Sequence, residues 1–319
     1  MKTSIQGLHH VTATVADAQE DLDFYTILLG LRLVKKTVNF DNHHVYHFYY
    51  GDESGTPGTI WTTFPYKGMG VPQGSHGNGQ ILTTSFSVPK DSIAFWGHRI
   101  YGHGITQFAH GERFGDEFLM FADPSGLSIE LVANDRDDRT PWTTDQLGAE
   151  NAIRGLFGVN LMLRELPRSI DFLTQVLGFE VTDQNEKVTR VALNGGGPGR
   201  TMDLLHTPDA SRGINGTGTV HHVAMAIPDG EAQLAVREEL VRLGFQVTEV
   251  RDRQYFQSIY FREPGGVLYE IATMSPGFTF DEKVEELGTG LKLPPWEEPF
   301  RTEIEAGLPA VTGPKALKA

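Results

Sequence analysis

The order of apolar and polar residues predicts a strand followed by a helix near the start of the chain. In HHVTATVAD, from residue 9, the side chains alternate with a period of two, which is typical of a β-strand. The next segment, DAQEDLDFYTILLG, has Leu22, Tyr25, Leu28 and Leu29 at helical spacing and ends at Gly30, a common helix cap. β-rich runs such as HHVYHFYYG and TIWTTFP follow, separated by Gly and Pro.

This unit is repeated along the chain. GLHHVTATVADAQEDLDFYTILLGLRLV, from Gly7, aligns without gaps with GLFGVNLMLRELPRSIDFLTQVLGFEV, from Gly155. FADPSGLSIELVAN, from Phe121, aligns in the same way with FREPGGVLYEIATM, from Phe261. We therefore predict an α+β fold of four related βαβββ modules. They occupy approximately residues 5–66, 79–133, 153–206 and 218–274.

A polar, aperiodic segment, NDRDDRTPWTTDQLGAEN, follows the second module and indicates the boundary between two sequence halves. The predicted N-terminal domain, residues 1–150, holds modules 1 and 2 with this linker, and the C-terminal domain, residues 151–275, holds modules 3 and 4. Residues 276–319 match no module and are rich in Pro and Glu. We expect them to form a tail that wraps the surface.

Composition limits the partners of the chain. A net charge of -14 over 319 residues repels phosphate backbones and anionic lipids, so we expect a small-molecule partner, with no nucleic acid and no membrane. The absence of cysteine excludes disulfides, thiolate zinc sites and a cysteine nucleophile. No secretory signal and no apolar run of roughly 20 residues is present, so we expect a cytoplasmic protein, with homo-oligomerisation left open.

The repeat helps to interpret the histidines, because each module serves as a control for the others. Modules 1 and 4 carry His10 and His222 on their first strands, whereas modules 3 and 2 have Gly158 and Thr83 at the matching positions. A histidine found once on a strand is usually a satisfied polar or core residue. Its recurrence in two modules favours a ligand role.

One carboxylate completes the candidate set. Glu270 belongs to module 4 and is expected on a strand next to that of His222. Two histidines and one carboxylate form the facial triad that binds non-haem iron(II), with adjacent coordination positions left open. The matching residue of module 2 is Glu130, in a module without the histidine, so a structural role for this position stays open. The pattern predicts a single metal site.

Strand geometry separates the two members of each histidine pair. Neighbouring side chains on a strand point to opposite faces, so Thr12 shares the face of His10 and not that of His9. We predict His10 and His222 as ligands, with His9 and His221 supporting them from outside the coordination sphere. The remaining histidines are expected to be mostly solvated, and they are His43, His44, His47, His76, His98, His103, His110 and His206.

With these motifs the chain resembles the vicinal oxygen chelate superfamily, which includes glyoxalases, bleomycin-resistance proteins and extradiol dioxygenases. The resemblance rests on GLHHVT, VHHVAMAIP and EPGGVLYEIAT, and it is strongest to ring-cleaving dioxygenases of the hydroquinone-opening type through VKKTVNFDN, GTPGTIWTTFP and DRQYFQSIYFREPGG. It implies two tandem domains of this superfamily. It also implies that modules 1 and 4 pair in space and supply the ligands, which fall on His10, His222 and Glu270.

The resemblance further implies that Arg253, Tyr260, Thr12, His9 and His221 surround the metal. In catechol-cleaving relatives the ligands come from modules 3 and 4, and Gly158 departs from that pattern. The expected activity is a dioxygenase reaction that opens a substituted hydroquinone or catechol with O2, using Fe(II) or Mn(II). His221, His9 or Tyr260 would exchange protons, and Arg253 would stabilise negative charge.

Two other functions stay open at the level of sequence. The same scaffold serves glyoxalase-type lyases and isomerases, which use nickel, zinc or manganese. A non-catalytic protein could also sequester an aromatic ligand between modules, and it would not need the triad. NGGGPGR lies between strand-like runs and does not open a helix, so it does not indicate a dinucleotide cofactor.

Overall fold

The computed structural model describes residues 4–313. Module 1 consists of β1 (Gly7–Val15), α1 (Ala18–Asp23), β2 (Arg32–Asn39), β3 (Asn42–Gly51) and β4 (Ile60–Pro65). Module 2 consists of β5 (Gln80–Pro89), α2 (Ile93–Gly102), β6 (Phe108–Arg113), β7 (Asp116–Ala122) and β8 (Ser128–Asn134).

The C-terminal half repeats this order. Module 3 consists of β9 (Gly155–Leu163), α3 (Pro167–Gln175), β10 (Glu180–Gln184), β11 (Val188–Ala192) and β12 (Thr201–His206). Module 4 consists of β13 (Thr219–Ile227), α4 (Gly230–Arg242), β14 (Arg251–Asp252), β15 (Gln257–Arg262) and β16 (Leu268–Thr273). The tail contains α5 (Arg301–Gly307) and short 3₁₀ turns. The four predicted βαβββ modules and the α+β fold are thereby confirmed.

The first helix forms where the sequence predicts it. Asp17 caps its start by accepting hydrogen bonds from the backbone N–H groups of Gln19 and Glu20, at 2.8 and 3.0 Å. The helix continues from α1 into a π-helical turn at Phe24–Leu28, and all four residues of the predicted apolar stripe are buried. Gly30 ends it with a φ of +70°, a conformation that favours glycine.

The strands form two sheets, and each sheet joins one module from each half of the chain. The first sheet has the order β14-β15-β16-β13-β1-β4-β3-β2, from modules 4 and 1. The second has the order β10-β11-β12-β9-β5-β8-β7-β6, from modules 3 and 2. Antiparallel pairing of β1 with β13 sets Thr12 opposite His222, so the two histidine-bearing strands are neighbours. The division of the chain near residue 150 stays a prediction.

The tail is built into the first sheet. Lys35 of β2 is completely buried and forms ion pairs with Asp281, at 2.6 Å, and with Glu282. Phe278 is also buried, and its ring packs against those of Tyr49 and Tyr255 at centroid distances of 4.9 and 5.1 Å. This segment therefore fills part of the sheet face in addition to covering the surface.

Candidate metal centre

Three side chains converge from adjacent strands of the first sheet. Glu270 Oε2 lies 2.8 Å from His222 Nε2 and 3.4 Å from His10 Nε2, and the two nitrogens are 3.3 Å apart. The side chains come from β16, β13 and β1, which are consecutive in the sheet. All three residues are buried. The structure thus brings together the three predicted ligands from both halves of the chain.

The donors at this point suit a divalent transition metal. Glu270 Oε2 is completely buried and makes no hydrogen bond of acceptable geometry, although both imidazole nitrogens are close to it. The other carboxylate oxygen, Oε1, accepts a hydrogen bond from Ser258 Oγ. A buried carboxylate oxygen without a partner is costly unless a cation binds it. Two nitrogens and one oxygen are ligands that iron and similar metals accept.

The electrostatics keep His222 and Glu270 in the forms that bind a metal. Burial lowers the pKa of His222, so its imidazole is neutral at neutral pH. Burial by itself would raise the pKa of Glu270, but the neighbouring His10 and His222 hold it well below its usual range. An ionised carboxylate beside a neutral imidazole is the protonation state that a metal requires.

A β-bulge accompanies each histidine pair. The register of β1 with β13 skips His9 between Leu8 and His10, and it skips His221 next to His222. The extra residue of a bulge re-aims its side chain, so the opposite-face rule fails here. His9 Nδ1 lies 2.9 Å from His10 Nδ1, and His221 Nδ1 lies 2.7 Å from His222 Nδ1. Burial, with a smaller effect of the adjacent histidine, lowers the pKa of His9 and of His221 to about 3.

Arg253 and Tyr260 occupy the wall next to Glu270. Tyr260 pairs with Glu270 across β15 and β16, and its ring lies 5.7 Å from that of His222. Arg253 Nε donates to Tyr260 Oη at 3.1 Å, and its terminal nitrogen lies 3.0 Å from Asp41 Oδ2. Burial, followed by the charge of Glu270, raises the pKa of Tyr260 above its usual value, so the phenol is protonated at neutral pH.

The opposite wall holds a residue that the sequence reasoning missed. His47 was expected to be solvated, but it lines the cavity, and this expectation is wrong. Its Nε2 is 2.9 Å from Thr62 Oγ1, and Thr62 donates to Thr12 Oγ1 at 2.8 Å. Alternation within HHVYHFYYG places His47 on the same face of the strand as Tyr49. The sequence does not show that this face borders the cavity, because that depends on the pairing of β3 with β4.

The ligands open onto a cavity of about 210 Å³. His221 lines it, whereas His9 lies behind His10. Arg253, Tyr260 and Thr12 also line it, together with Asn39 and Asp41. Its aromatic wall consists of Phe40, Tyr49, Phe64, Tyr66 and Phe256.

The second sheet has the same bulges without the metal ligands. Its register skips Leu82 and Phe157, the counterparts of His221 and His9. A Cβ at Gly158 would lie 2.5 Å from Thr201 O, so the counterpart of His10 has no room for a side chain. Glu130 instead forms an ion pair with Arg113 at 2.7 Å.

Among residues 4–313, one further group of histidine and acidic side chains has donor atoms close enough for a metal. It consists of His43, His44 and Glu303, and it is considerably more exposed. The buried group in the first sheet is therefore the candidate centre.

A model of the Glyoxalase/Bleomycin resistance protein/Dioxygenase superfamily matches residues 7–131 and 155–271. The chain belongs to this superfamily. It is 43% identical over 308 residues to MhqO of Bacillus subtilis (strain 168), named as a ring-cleaving dioxygenase, with 97% of both chains covered. It is 34% identical over 306 residues to the chlorohydroquinone/hydroquinone 1,2-dioxygenase of Sphingobium indicum, covering 94% of this chain and 95% of the relative.

Solved structures agree with the superfamily assignment. The crystal structure of a Bacillus subtilis dioxygenase matches with a TM-score of 0.93 at 42% identity, covering 99% of this chain and 100% of that one. Glyoxalase I from Zea mays matches with a TM-score of 0.61 at 18% identity, covering 84% of this chain and 92% of that one, and shows a shared fold alone. The resemblance seen in the sequence is confirmed, and the chain is an enzyme of the ring-cleaving dioxygenase type. No helix within residues 4–313 has the length and apolar character needed to span a bilayer.

Proposed function

We propose that this enzyme opens a substituted hydroquinone with O2, using iron(II) held by His10, His222 and Glu270. The observation that carries the proposal concerns Glu270 Oε2. This buried carboxylate oxygen lies close to two imidazole nitrogens but makes no hydrogen bond. Non-haem iron(II) oxygenases use two histidines and one carboxylate, and Mn(II) accepts similar ligands.

When bound, the iron would supply a Lewis-acidic centre with open positions for a phenolate and O2. The chain's own groups favour an anionic substrate, because neutral imidazoles and a single carboxylate leave the centre positively charged. Arg253 adds a guanidinium to the cavity wall, where it stabilises negative charge that develops on the ring even though Asp41 offsets part of its own charge.

Two groups are placed to exchange protons with a bound phenol. Tyr260 and His221 both line the cavity, and Tyr260 holds its proton at neutral pH. His9 does not line the cavity, and it contacts the rings of His10 and Phe256, which do. We therefore assign proton transfer to Tyr260 and His221 and a positioning role to His9.

The cavity suits a small aromatic substrate. A cavity of about 150 Å³ engineered into another protein accommodates benzene, so about 210 Å³ leaves room for one substituted ring. Tyr49, Phe64 and Phe256 supply aromatic surface for such a ring. The Sphingobium indicum relative, which is named for chlorohydroquinone and hydroquinone, supports the choice of a hydroquinone.

Oxygen uptake by anaerobically purified, Fe(II)-loaded protein tests this function. We expect about one O2 consumed per hydroquinone, because ring opening incorporates both oxygen atoms, and slower uptake with catechol. Iron-replete protein that consumes no O2 with either class would refute the proposal. Conversion of a thiol adduct by the nickel or zinc form would then favour a glyoxalase-type activity.

A further inference from the structure

His47 presents an acceptor nitrogen to the cavity. The Thr62 hydroxyl has a single hydrogen, which it donates to Thr12 Oγ1, so it can only accept from His47 Nε2. Nε2 therefore carries the ring hydrogen, and Nδ1 of the neutral imidazole keeps a free lone pair. Within the described part of the chain, Nδ1 has no hydrogen-bond partner.

The surroundings fix the orientation of this ring. His47 lies between Tyr49 and Phe64, at ring-centroid distances of 4.0 and 4.2 Å. Burial, with smaller effects of His10 and Arg253, lowers the pKa of His47 well below its usual value. The imidazole is therefore neutral at neutral pH. Its Nδ1 stays unprotonated and can accept a hydrogen bond.

His47 faces the metal centre across the cavity. The ligands lie on β16, β13 and β1, and β4 separates β1 from β3, which carries His47. Two strand spacings amount to about 10 Å, and both groups project into one cavity. An aromatic ring with one oxygen at the metal centre is thus able to place its opposite edge beside β3.

We propose that His47 Nδ1 accepts a hydrogen bond from the ring hydroxyl that lies opposite the hydroxyl at the metal centre. The Thr12–Thr62–His47 chain then selects 1,4-diols. A catechol has adjacent hydroxyls that both point toward the metal, and it leaves Nδ1 desolvated without a donor, which weakens binding. A site built to hydrogen-bond a hydroxyl discriminates strongly against analogues that lack it. This inference rests on the proposed function, whose substrate it specifies.

Equilibrium binding separates this inference from turnover. The Fe(II)-loaded protein is titrated anaerobically with hydroquinone and with 4-fluorophenol, whose fluorine is close in size to a hydroxyl but carries no hydrogen at the far position. We expect the wild type to bind hydroquinone at least about tenfold more tightly. His47→Phe should bind both ligands with equal affinity and keep its iron. His44→Phe, an exposed histidine on the same strand, is the matched control and should retain the preference.

A second variant covers the case in which His47→Phe does not fold. Thr62→Val keeps the shape of the side chain but removes the hydroxyl that fixes the tautomer, so we expect it to lose part of the preference at unchanged iron content. A wild type without preference, or a His47→Phe protein that retains it, would overturn the inference. Oxygen uptake with hydroquinone reports separately on the proposed function, so the two can fail independently.

Discussion

At the scale of single residues, the candidate metal centre consists of polar groups that lack suitable hydrogen-bond partners unless a cation binds them. Glu270 Oε2 has no hydrogen bond, and the two Nε2 atoms face each other at 3.3 Å. Buried polar groups in this state are costly in a fold that has no ligand to compensate them. A metal removes the conflict by accepting all three lone pairs.

Replacement of His10, His222 or Glu270 by Ala should therefore abolish stoichiometric iron binding and leave the fold intact. The side chains line a cavity and add little to the core. Iron content by mass spectrometry and circular dichroism check the two parts of this prediction. His206→Ala, an exposed histidine on β12, is the control and should bind iron normally. Full iron retention in two of the three variants would contradict the assignment.

Arg253 and Tyr260 should act as one unit, because Arg253 donates to Tyr260 Oη. Arg253→Ala and Tyr260→Phe should each slow turnover by roughly 10²-fold or more while iron stays bound. The double variant should be slower by less than the product of the two effects, since each single change already disrupts the pair. Steady-state oxygen uptake measures all three variants. Effects that multiply fully would show that the residues act independently.

Residue-level prediction was most specific where a repeat provided an internal comparison. His10 and His222 stand out because Gly158 and Thr83 replace them in sister modules. His47 offered no such contrast, since its position in the cavity depends on the pairing of β3 with β4. The bulges at His9 and His221 were equally hidden, because a one-residue shift of register leaves no mark in the alternation of side chains.

At the scale of elements, β6 and β8 of the second sheet use a guanidinium where the first sheet has its metal centre. Arg113 bridges Glu130 and Asp203 at 2.7 and 2.6 Å, and Arg190 also pairs with Asp203 at 2.7 Å. The Glu shared by modules 2 and 4 is thus a structural residue in one sheet and a candidate ligand in the other.

Glu130 lies outside the candidate metal centre, and Glu130→Ala should lower the stability of the fold without affecting that centre. Arg113 then keeps Asp203 as its counter-charge, so the cost should stay below the about 3–5 kcal/mol of a buried charge left without any partner. We expect a lower urea midpoint and unchanged iron binding in the folded fraction. The Arg113→Met/Glu130→Met pair should recover part of the stability, because no charge is left unpaired. A Glu130→Ala midpoint equal to that of the wild type would refute this role.

Helix α1 carries a buried acid that makes stability depend on pH. Asp21 accepts hydrogen bonds from Tyr50 Oη and Thr63 Oγ1, and burial raises its pKa to about 8. A raised pKa means that the folded state holds the proton more tightly, so the stabilisation is complete below the unfolded pKa and is lost as pH rises through about 8. Relative to Asp21→Asn, the wild type should lose stability from pH 5 to 8, by up to about 1.4 kcal/mol per pH unit. Urea unfolding across that range checks this, and parallel curves would contradict it.

At the scale of the whole molecule, the repeats indicated four modules, and the family resemblance indicated which of them pair. Loops and the tail were beyond sequence reasoning, because neither repeats. The tail packs Phe278 against Tyr49 and pairs Asp281 with Lys35. No periodic pattern in the sequence predicts these contacts. The size of the cavity depends on these same segments, so the substrate could not be read from the modules.

The exchange of modules between halves leads to the last prediction. Residues 1–150 contain His10, whereas residues 151–319 contain His222 and Glu270, and β1 and β13 are joined only when both halves are present. Neither half expressed alone should bind iron stoichiometrically, since each lacks a ligand and leaves β1 or β13 with an unpaired edge. Co-expression of the two halves should restore one iron per pair, measured on the co-purified complex. A C-terminal half that binds a full equivalent of iron alone would refute the shared centre and point to ligands from modules 3 and 4.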